Sequence, residues 1–191
     1  MKAQLLSCLL TMAVCSAAVA APVTYEIDPK HTFPSVETDH SGGLSTFRGR
    51  FDRTSGTVTL DKAGGRGTVD IVVDTASVDF GLDKMNDKVK SDEILDVAKY
   101  THATYKGKLE GFSNGVPSQV VGELSLHGVT KPLVLKIDSF KCMPHPLLKR
   151  EVCGADALGT FNRSDFGIDA GKGFKMDVTL RIQVEAIQAK P

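Results

Sequence analysis

The chain has 191 residues, no tryptophan, and 23 basic and 23 acidic side chains that give a formal net charge of zero. This balance provides no basic face for a nucleic acid, so we expect no nucleic-acid partner. The length fits one domain of ordinary size with a hydrophobic core, and no second domain or long linker is indicated.

The N-terminal segment is predicted to be a secretory signal. Lys2 supplies a short charged region, an apolar run follows over residues 5–18, and residues 18–20 have the small-x-small pattern that signal peptidase cleaves. The run is shorter than the roughly 20 residues that a membrane-spanning helix needs. We therefore expect residues 1–20 to be removed near Ala20 and residues 21–191 to form one exported domain. A lipidated N-terminus is the minor alternative.

The first half of the exported domain is predicted to be mainly β-strand. Apolar and polar residues alternate there with a period of two, which is typical of strands with one buried and one solvated face. Glycine-rich stretches such as "AGGRG" separate these strands as turns. The predicted strands span 23–27, 32–40, 46–52, 56–61 and "TVDIVVD", with Val69, Ile71 and Val73 facing inward.

A helical insert is predicted at about residues 82–98. Leu82, Met85 and Val89 keep helical spacing, and Ser91 followed by two acidic residues resembles a helix N-cap. One or two short helices are therefore expected to interrupt the strands, and this insert is a candidate cover for one end of the fold.

Strands resume with residues 102–112, followed by the stretch "GELSLHGVTKPLVLKI". We interpret this stretch as a hairpin, because two alternating runs flank about five residues that contain Gly128. Pro132 is expected at the first position of the second strand. His127 is therefore predicted to serve the turn, since no adjacent residue offers the nucleophile or the acid that a catalytic histidine would need.

The two cysteines of the exported domain, Cys142 and Cys153, are predicted to form a disulfide. A closely spaced pair in an exported protein favours this pairing. A free or redox-active pair is the alternative. A metal site is not predicted, because His145 alone does not complete a ligand set and no other histidine shows ligand spacing.

The last two strands are predicted over 156–166 and along "FKMDVTLRIQVEA". Arg163 and Asp165 are expected to alternate on one strand face as an ion pair. Many antiparallel strands and one helical insert favour an all-β barrel of about eight strands, because closure removes unpaired edges. Such a barrel holds packed side chains or one small ligand. Without a catalytic constellation, we predict that the protein is not an enzyme.

The stretch "SLHGVTKPLVLKI" resembles the "LTxHGVTKPV" hairpin of the YceI-like family of exported bacterial proteins. Similar stretches are "YEIDPKHTFPSVETDH", "FRGRFDRTSGTVTLD", "DTASVDFGLDKMNDKVKSDEILDVAKYTHATYKG" and "FNRSDFGI", and together they cover nearly all of residues 23–187 in order. Thr101, Pro34 and Thr38 depart from residues that are common in the family.

The resemblance implies an antiparallel lipocalin-like barrel that binds an isoprenoid lipid, a quinone or a polyprenyl phosphate, in an apolar tunnel. No other cofactor is implied. Alternation assigns the inward-facing residues, which would bind the lipid. These are Val36, Phe47, Phe51, Val58, Val69, Ile71, Val73, Tyr105, Leu124, Leu126, Leu135, Met176, Val178, Leu180 and Ile182.

The resemblance and the signal together imply periplasmic lipid transport, with transient contact to a membrane or a membrane protein. Some family members pair as dimers, so a homodimer is an alternative to a monomer. Two other functions stay open at this point. One is a hydrolase that uses a histidine on a hydrophobic substrate, and the other is a stress-related structural protein whose barrel packs its own side chains.

Overall fold

The computed structural model describes residues 21–171 and 173–190, so the expected signal segment lies outside the described residues. The described chain contains eleven strands and one α-helix, α1 (Asp83–Lys90), with 3-10 turns at Thr75–Ser77 and Arg163–Phe166. The strands are β1 (Val23–Ile27), β2 (Phe33–His40), β3 (Ser45–Phe51), β4 (Thr54–Asp61), β5 (Arg66–Asp74), β6 (Val78–Asp79), β7 (His102–Glu110), β8 (Gln119–Leu126), β9 (Val129–Pro144), β10 (Glu151–Asn162) and β11 (Asp177–Gln188).

The eleven strands build a closed antiparallel barrel of eight long strands. β1 pairs with β4 and β2 pairs with β3, so the stretch β1–β2 lies along the stretch β3–β4. In the same way, β4 pairs with β5 and β3 pairs with β6, so β3–β4 lies along β5–β6. β1–β2, β3–β4 and β5–β6 are therefore each one strand interrupted by a bend. β7 to β11 follow as sequential neighbours, and β11 closes the ring on both β1 and β2. The predicted lipocalin-like all-β barrel of about eight strands is confirmed.

The up-and-down order gives the barrel two distinct ends. We call one the helix end, because it carries the insert with α1, the β2–β3 and β8–β9 turns, and the β10–β11 loop. The opposite end, the disulfide end, carries the β4–β5, β7–β8 and β9–β10 connections. Among the described residues β6 pairs with β3 alone, and the insert connects β6 to β7, which begins at His102.

The predicted helical insert is present, and its helix α1 lies within the expected range of about residues 82–98. α1 begins after Leu82, with Asp83 in its first turn, and Lys88 and Lys90 in its last turn oppose the negative end of the helix dipole. Ser91 ends the helix instead of starting one. Its amide donates to the carbonyls of Asp87 and Lys88, so the expectation that it is an N-cap was wrong.

The β8–β9 connection is a tighter turn than the five residues expected. β8 ends at Leu126 and β9 begins at Val129, so His127 and Gly128 form the whole loop. Both have positive φ, 51° and 76°, which is the conformation that a two-residue type I′ hairpin requires. Pro132 lies inside β9 rather than at its start, in the part of the strand that pairs only with β8. One side of the strand therefore needs no amide donor at that position.

Cys142 and Cys153 are joined by a disulfide, as predicted, with a sulfur–sulfur distance of 2.00 Å. The two residues face each other across β9 and β10, in register with the flanking ladder. A loop this short contributes roughly 3 kcal/mol to stability in the chain-entropy model. The disulfide thus fixes two strands at the end of the barrel opposite the helix.

The expectation of a strand over 156–166 was partly wrong. β10 runs from Glu151 to Asn162, and residues 163–166 form a 3-10 turn whose N-cap is Asn162. The Asn162 side chain accepts a hydrogen bond from the Ser164 amide, which favours the turn over a continued strand. Arg163 and Asp165 consequently do not share a strand face, and the described residues contain no ion pair between them.

Candidate functional site

The barrel interior contains an apolar cavity of about 590 Å³. This volume lies within the range of roughly 300–1,000 Å³ that is typical of small-molecule sites. Most of its lining side chains are aliphatic or aromatic, and the charged ones, Asp39, Lys88, Arg163 and Lys175, lie near the helix end. The cavity is therefore suited to a hydrocarbon ligand rather than a polar one.

Partial exposure of inward-facing side chains shows that the interior is not filled by the protein itself. Val58, Val69, Ile71 and Leu180 line the cavity, yet each is only half-buried. A residue on the inner face of a closed barrel can be exposed only toward space inside it. In a close-packed interior, side chains interdigitate and leave few voids larger than a water molecule.

All but one of the residues predicted to face inward line this cavity. Met176 is the exception, because it lies just before β11 and is not among the lining residues. The lining residues that were predicted are Val36, Phe47, Phe51, Val58, Val69, Ile71, Val73, Tyr105, Leu124, Leu126, Leu135, Val178, Leu180 and Ile182.

Sequence reasoning missed two groups of lining residues. The first extends the same alternation along strands that were already recognised, as with Leu60 after Val58 and Leu133 before Leu135. The second group comes from the insert and the β10–β11 loop, where apolar and polar residues do not alternate as they do in a strand. Its apolar members are Met85, Val89, Ile94, Leu95, Ile168 and Phe174.

The cavity is closed at the disulfide end. Tyr25, Leu60, Leu109 and Val120, which line the cavity there, are buried. The Tyr25 hydroxyl donates to Glu151 at 2.7 Å, and Glu151 also pairs with Lys62. Burial, and then the neighbouring Glu151 carboxylate, raise the pKa of Tyr25. The hydroxyl therefore stays protonated and keeps this end sealed.

The cavity opens at the helix end. Its lining residues there include Lys88, Gly171, Phe174 and Lys175, all of which are exposed. The insert forms part of this opening, since Met85, Val89, Ile94 and Leu95 reach the cavity. The insert and the β10–β11 loop therefore flank the opening.

Tyr105 places a polar group within the apolar wall without offering it to a ligand. Its hydroxyl lies 2.9 Å from the Leu133 carbonyl and 3.2 Å from the Val120 carbonyl. Burial raises the pKa of Tyr105, so the hydroxyl remains a donor. This contact ties β7 to the neighbouring strands, which explains how a tyrosine can line a hydrocarbon cavity.

All five histidines make hydrogen bonds through Nδ1, and four of them bond to residues nearby in sequence. His31 contacts Asp28, His40 contacts the Ser45 hydroxyl at 3.1 Å, and His102 contacts Thr101. Nδ1 of His145 accepts from the amides of Leu147 and Leu148. Ser45 and His40, at the open end, pair a hydroxyl with an imidazole that lines the cavity. Among the described residues, no carboxylate contacts the second nitrogen of His40 to orient it.

His127 connects two loops of the helix end. Its Nδ1 lies 3.1 Å from the Phe166 carbonyl, which can only accept, so Nδ1 carries the proton. The imidazole also packs on the Tyr100 ring, with the ring centroids 4.4 Å apart. His127 does not line the cavity, and its contacts are those of a structural residue.

Replacing His127 should lower stability without changing ligand binding. His127→Ala removes the Phe166 hydrogen bond and the Tyr100 contact and leaves a positive φ, so we expect a loss of roughly 2 kcal/mol in urea unfolding. His127→Asn, which tolerates the left-handed backbone, should recover part of that loss. Ligand affinity that falls with unchanged stability would contradict this role.

The structure also assembles a cluster that the sequence did not reveal, where β1, β2 and β11 meet. Ligand-type atoms of Asp28, His31 and Glu185 lie within 4.8 Å of one another. His31 and Asp28 are 2.8 Å apart and form an ion pair when the imidazole is protonated. Burial raises the pKa of Asp28, but hydrogen bonds from His31 and from the Lys30 amide outweigh it and hold the pKa low. The same bond to Asp28 raises the pKa of His31.

These shifts predict a stability contribution confined to mildly acidic pH. Because folding raises the pKa of His31, the ion pair makes its full contribution to stability below pH 6.5, the ordinary pKa of histidine, and this contribution is lost as pH rises. The lowered Asp28 pKa gives stability that is complete above 3.8 and is lost as pH falls. In urea unfolding, the difference between wild type and His31→Ala should therefore be largest at pH 4 to 6.5 and smaller at either extreme. A difference that grows toward pH 9 would contradict this assignment.

Among the described residues, no helix is long and apolar enough to span a bilayer. The fold and the cavity together define the class of protein: a closed up-and-down barrel of the lipocalin type with an apolar interior cavity. Comparisons with known proteins then give the family. Residues 25–186 match the profile of the YceI-like domain, and the chain belongs to the YceI-like family.

Relatives and solved structures agree with this placement. The chain is 30% identical to a UPF0312 protein of Pseudomonas savastanoi pv. phaseolicola over 193 residues that cover 100% of both chains. It is also 30% identical to UPF0312 protein PputW619_0484 of Pseudomonas putida, over 93% of each. BcnA of Burkholderia cenocepacia superposes with a TM-score of 0.67 at 19% identity, covering 84% of this chain and 99% of that one.

Two further structures share the fold. A polyisoprenoid binding domain from Saccharophagus degradans, described as implicated in plant cell wall breakdown, gives a TM-score of 0.63 at 18% identity, over 87% of this chain and 99% of that one. The Campylobacter jejuni YCEI protein gives 0.63 at 24% identity, over 77% and 88%. At these identities the likeness concerns the fold.

Proposed function

We propose that this protein binds an isoprenoid lipid in the barrel cavity and carries it in the periplasm. The observation that carries the proposal is an apolar cavity closed at the disulfide end and open at the helix end. The polyisoprenoid binding domain from Saccharophagus degradans, which has the same fold, supports the choice of ligand class.

The physical chemistry of a prenyl chain favours a carrier over a trap. Each methylene gains roughly 0.8 kcal/mol on leaving water, so a tail of several isoprene units is never free in solution. Its real competitor is the bilayer interior, which is just as apolar as the cavity. Transfer from membrane to barrel is therefore close to neutral, and the ligand can be loaded at one membrane and released at another.

The ligand that copurifies with the protein provides the test. The full chain is expressed with its N-terminal segment, purified from the periplasmic fraction, extracted with organic solvent and analysed by mass spectrometry. We expect a prenyl species at close to one equivalent. Protein stripped of lipid should take up added decylubiquinone or geranylgeranyl phosphate, detected by coelution in gel filtration. An extract without a prenyl species, together with no uptake of either compound, would overturn the proposal.

The same purified protein is used to test the hydrolase alternative. If Ser45 and His40 act on a hydrophobic ester, His40→Ala should abolish turnover of a long-chain p-nitrophenyl ester and leave lipid uptake intact. We expect no turnover above background for the wild type. The packed-core alternative predicts a filled interior, which differs from the half-buried inner faces of β4, β5 and β11.

A further inference from the structure

Arg163 is one of three cationic side chains that line the open end of the cavity among the described residues, with Lys88 and Lys175. Arg163 follows β10 directly and lines the cavity beside Gly171 in the β10–β11 loop. Its guanidinium donates to the Ile168 carbonyl at 3.3 Å. Among the described residues, no carboxylate lies within ion-pair distance of it. A guanidinium offers five N–H donors in a fixed fork, so most of these donors have no partner among the described residues.

The other charged side chains at this opening are engaged elsewhere or lie in solvent. Lys88 pairs with Glu93 on the insert. Asp39 accepts from the backbone amides of Gly42 and Lys175, which ties the β2–β3 turn to the β10–β11 loop. The Lys175 side chain is exposed. Arg163 is thus the charged group at the opening that is both half-buried and available.

The surroundings of Arg163 disfavour its charge. Burial lowers the pKa of the guanidinium, and the more distant Asp169 offsets this only in part. Removing a charged group from water costs free energy unless another group pairs with it. An anion that enters the opening and accepts two N–H bonds would restore that pairing and would displace only water. A neutral carbonyl or hydroxyl would recover less, because hydrogen bonds between charged groups are roughly twice as strong.

We infer that Arg163 binds the head group of the lipid and that this head group is an anion of the phosphate or carboxylate type, bound through the arginine fork. This inference rests on the proposed function, since the apolar tail must lie in the barrel to bring the head group to Arg163. It selects a prenyl phosphate or a prenyl carboxylate over a quinone.

A matched pair of ligands tests the inference. Geranylgeranyl phosphate and geranylgeraniol have the same tail and differ only in the head group, and geranylgeranoic acid adds the carboxylate arm. Dissociation constants are measured by competition against a fluorescent prenyl probe. Wild type should bind the phosphate about 10- to 100-fold more tightly than the alcohol. The acid will show whether a carboxylate gains as much as a phosphate.

Three variants locate the effect. Arg163→Gln should bring the ratio of the two affinities close to one while the affinity for geranylgeraniol stays within about twofold to threefold of wild type. Arg163→Lys keeps the charge but lacks the fork, and should retain part of the preference. Lys84→Gln removes an exposed charge of α1 that does not line the cavity, and should leave the ratio unchanged.

The outcomes separate this inference from the proposed function. Equal binding of phosphate and alcohol by wild type would overturn the head-group assignment while lipid binding stands. Binding of none of the ligands would overturn the proposed function itself. If Arg163→Gln folds poorly, the ratio of phosphate to alcohol affinity in wild type and in Arg163→Lys still tests the head-group assignment. A full preference in Arg163→Lys, or a loss of the preference in Lys84→Gln, would show a general electrostatic effect instead of a site.

Discussion

Val69→Phe is expected to weaken binding of a prenyl ligand about tenfold or more while the barrel stays folded. Val69 points into the cavity from the middle of β5, beside Val58 on β4 and Gly107 on β7. A phenyl ring there takes space that the ligand would occupy. Excluding two methylene groups at about 0.8 kcal/mol each already costs roughly tenfold in affinity.

The same substitution should leave stability unchanged or slightly raised. An enlarged side chain destabilises a packed core by strain, but here it enters open space and buries additional apolar surface. Affinity is measured with the prenyl probe and stability by urea unfolding. The two measurements together separate a blocked cavity from a damaged fold.

Val72→Phe supplies the matched control for this experiment. Val72 lies on the same strand and does not line the cavity, so the same change in volume occurs outside the barrel. Its affinity for the probe should equal that of wild type. Unchanged binding by Val69→Phe would mean that the ligand does not reach this depth, and equal losses in both variants would mean that β5 itself is disturbed.

Gly122→Ala should destabilise the protein by about 3 kcal/mol, since the contact it creates is with backbone and cannot be relieved by a rotamer change. Gly122 on β8 faces Gly107 on β7. A Cβ at Gly122 would lie 2.4 Å from the Lys106 carbonyl oxygen and 2.8 Å from the Gly107 Cα. β7 and β8 would have to move apart, which would strain the ladder around Tyr105 as well.

In thermal unfolding, a loss of this size should lower Tm by roughly 6–12 °C for a domain of this length. Gly154→Ala is the control, because the nearest atoms to a Cβ there lie at 3.6 and 3.7 Å, an ordinary contact. That variant should match wild type or gain up to about 1 kcal/mol from reduced backbone freedom. A Gly122→Ala protein within about 0.5 kcal/mol of wild type would contradict the close approach of the two strands.

Local patterns were sufficient to predict most of the barrel wall. Alternation placed Val69, Ile71 and Val73 on one face because successive side chains of a strand point to opposite sides. The short spacing of Cys142 and Cys153 predicted the disulfide, and the His127–Gly128 turn was recognised as a reversal although its length was overestimated. In each case the signal lay within about a dozen residues of the structure it specified.

Errors occurred where the strand pattern stops. Ser91 resembles an N-cap in sequence, yet it ends α1, because a serine can bond backbone groups at either end of a helix. Arg163 was predicted to lie in a strand, but the Asn162 side chain caps a 3-10 turn that begins at Arg163. Met176 keeps the parity of Val178 but precedes the ladder that would direct it into the cavity.

The sequence by itself determined the all-β class, the inward faces of the strands and the cysteine pair, because strand alternation and short-range spacing are local properties. The tertiary structure alone decided that the interior stays open, that the cavity opens at the helix end, and that Asp28 and Glu185 meet around His31. Alternation states which side of the sheet a residue faces but not how far away the opposite wall lies. That distance depends on the closure of eight strands into a ring, which pairs residues more than 140 positions apart, such as Val36 and Leu180.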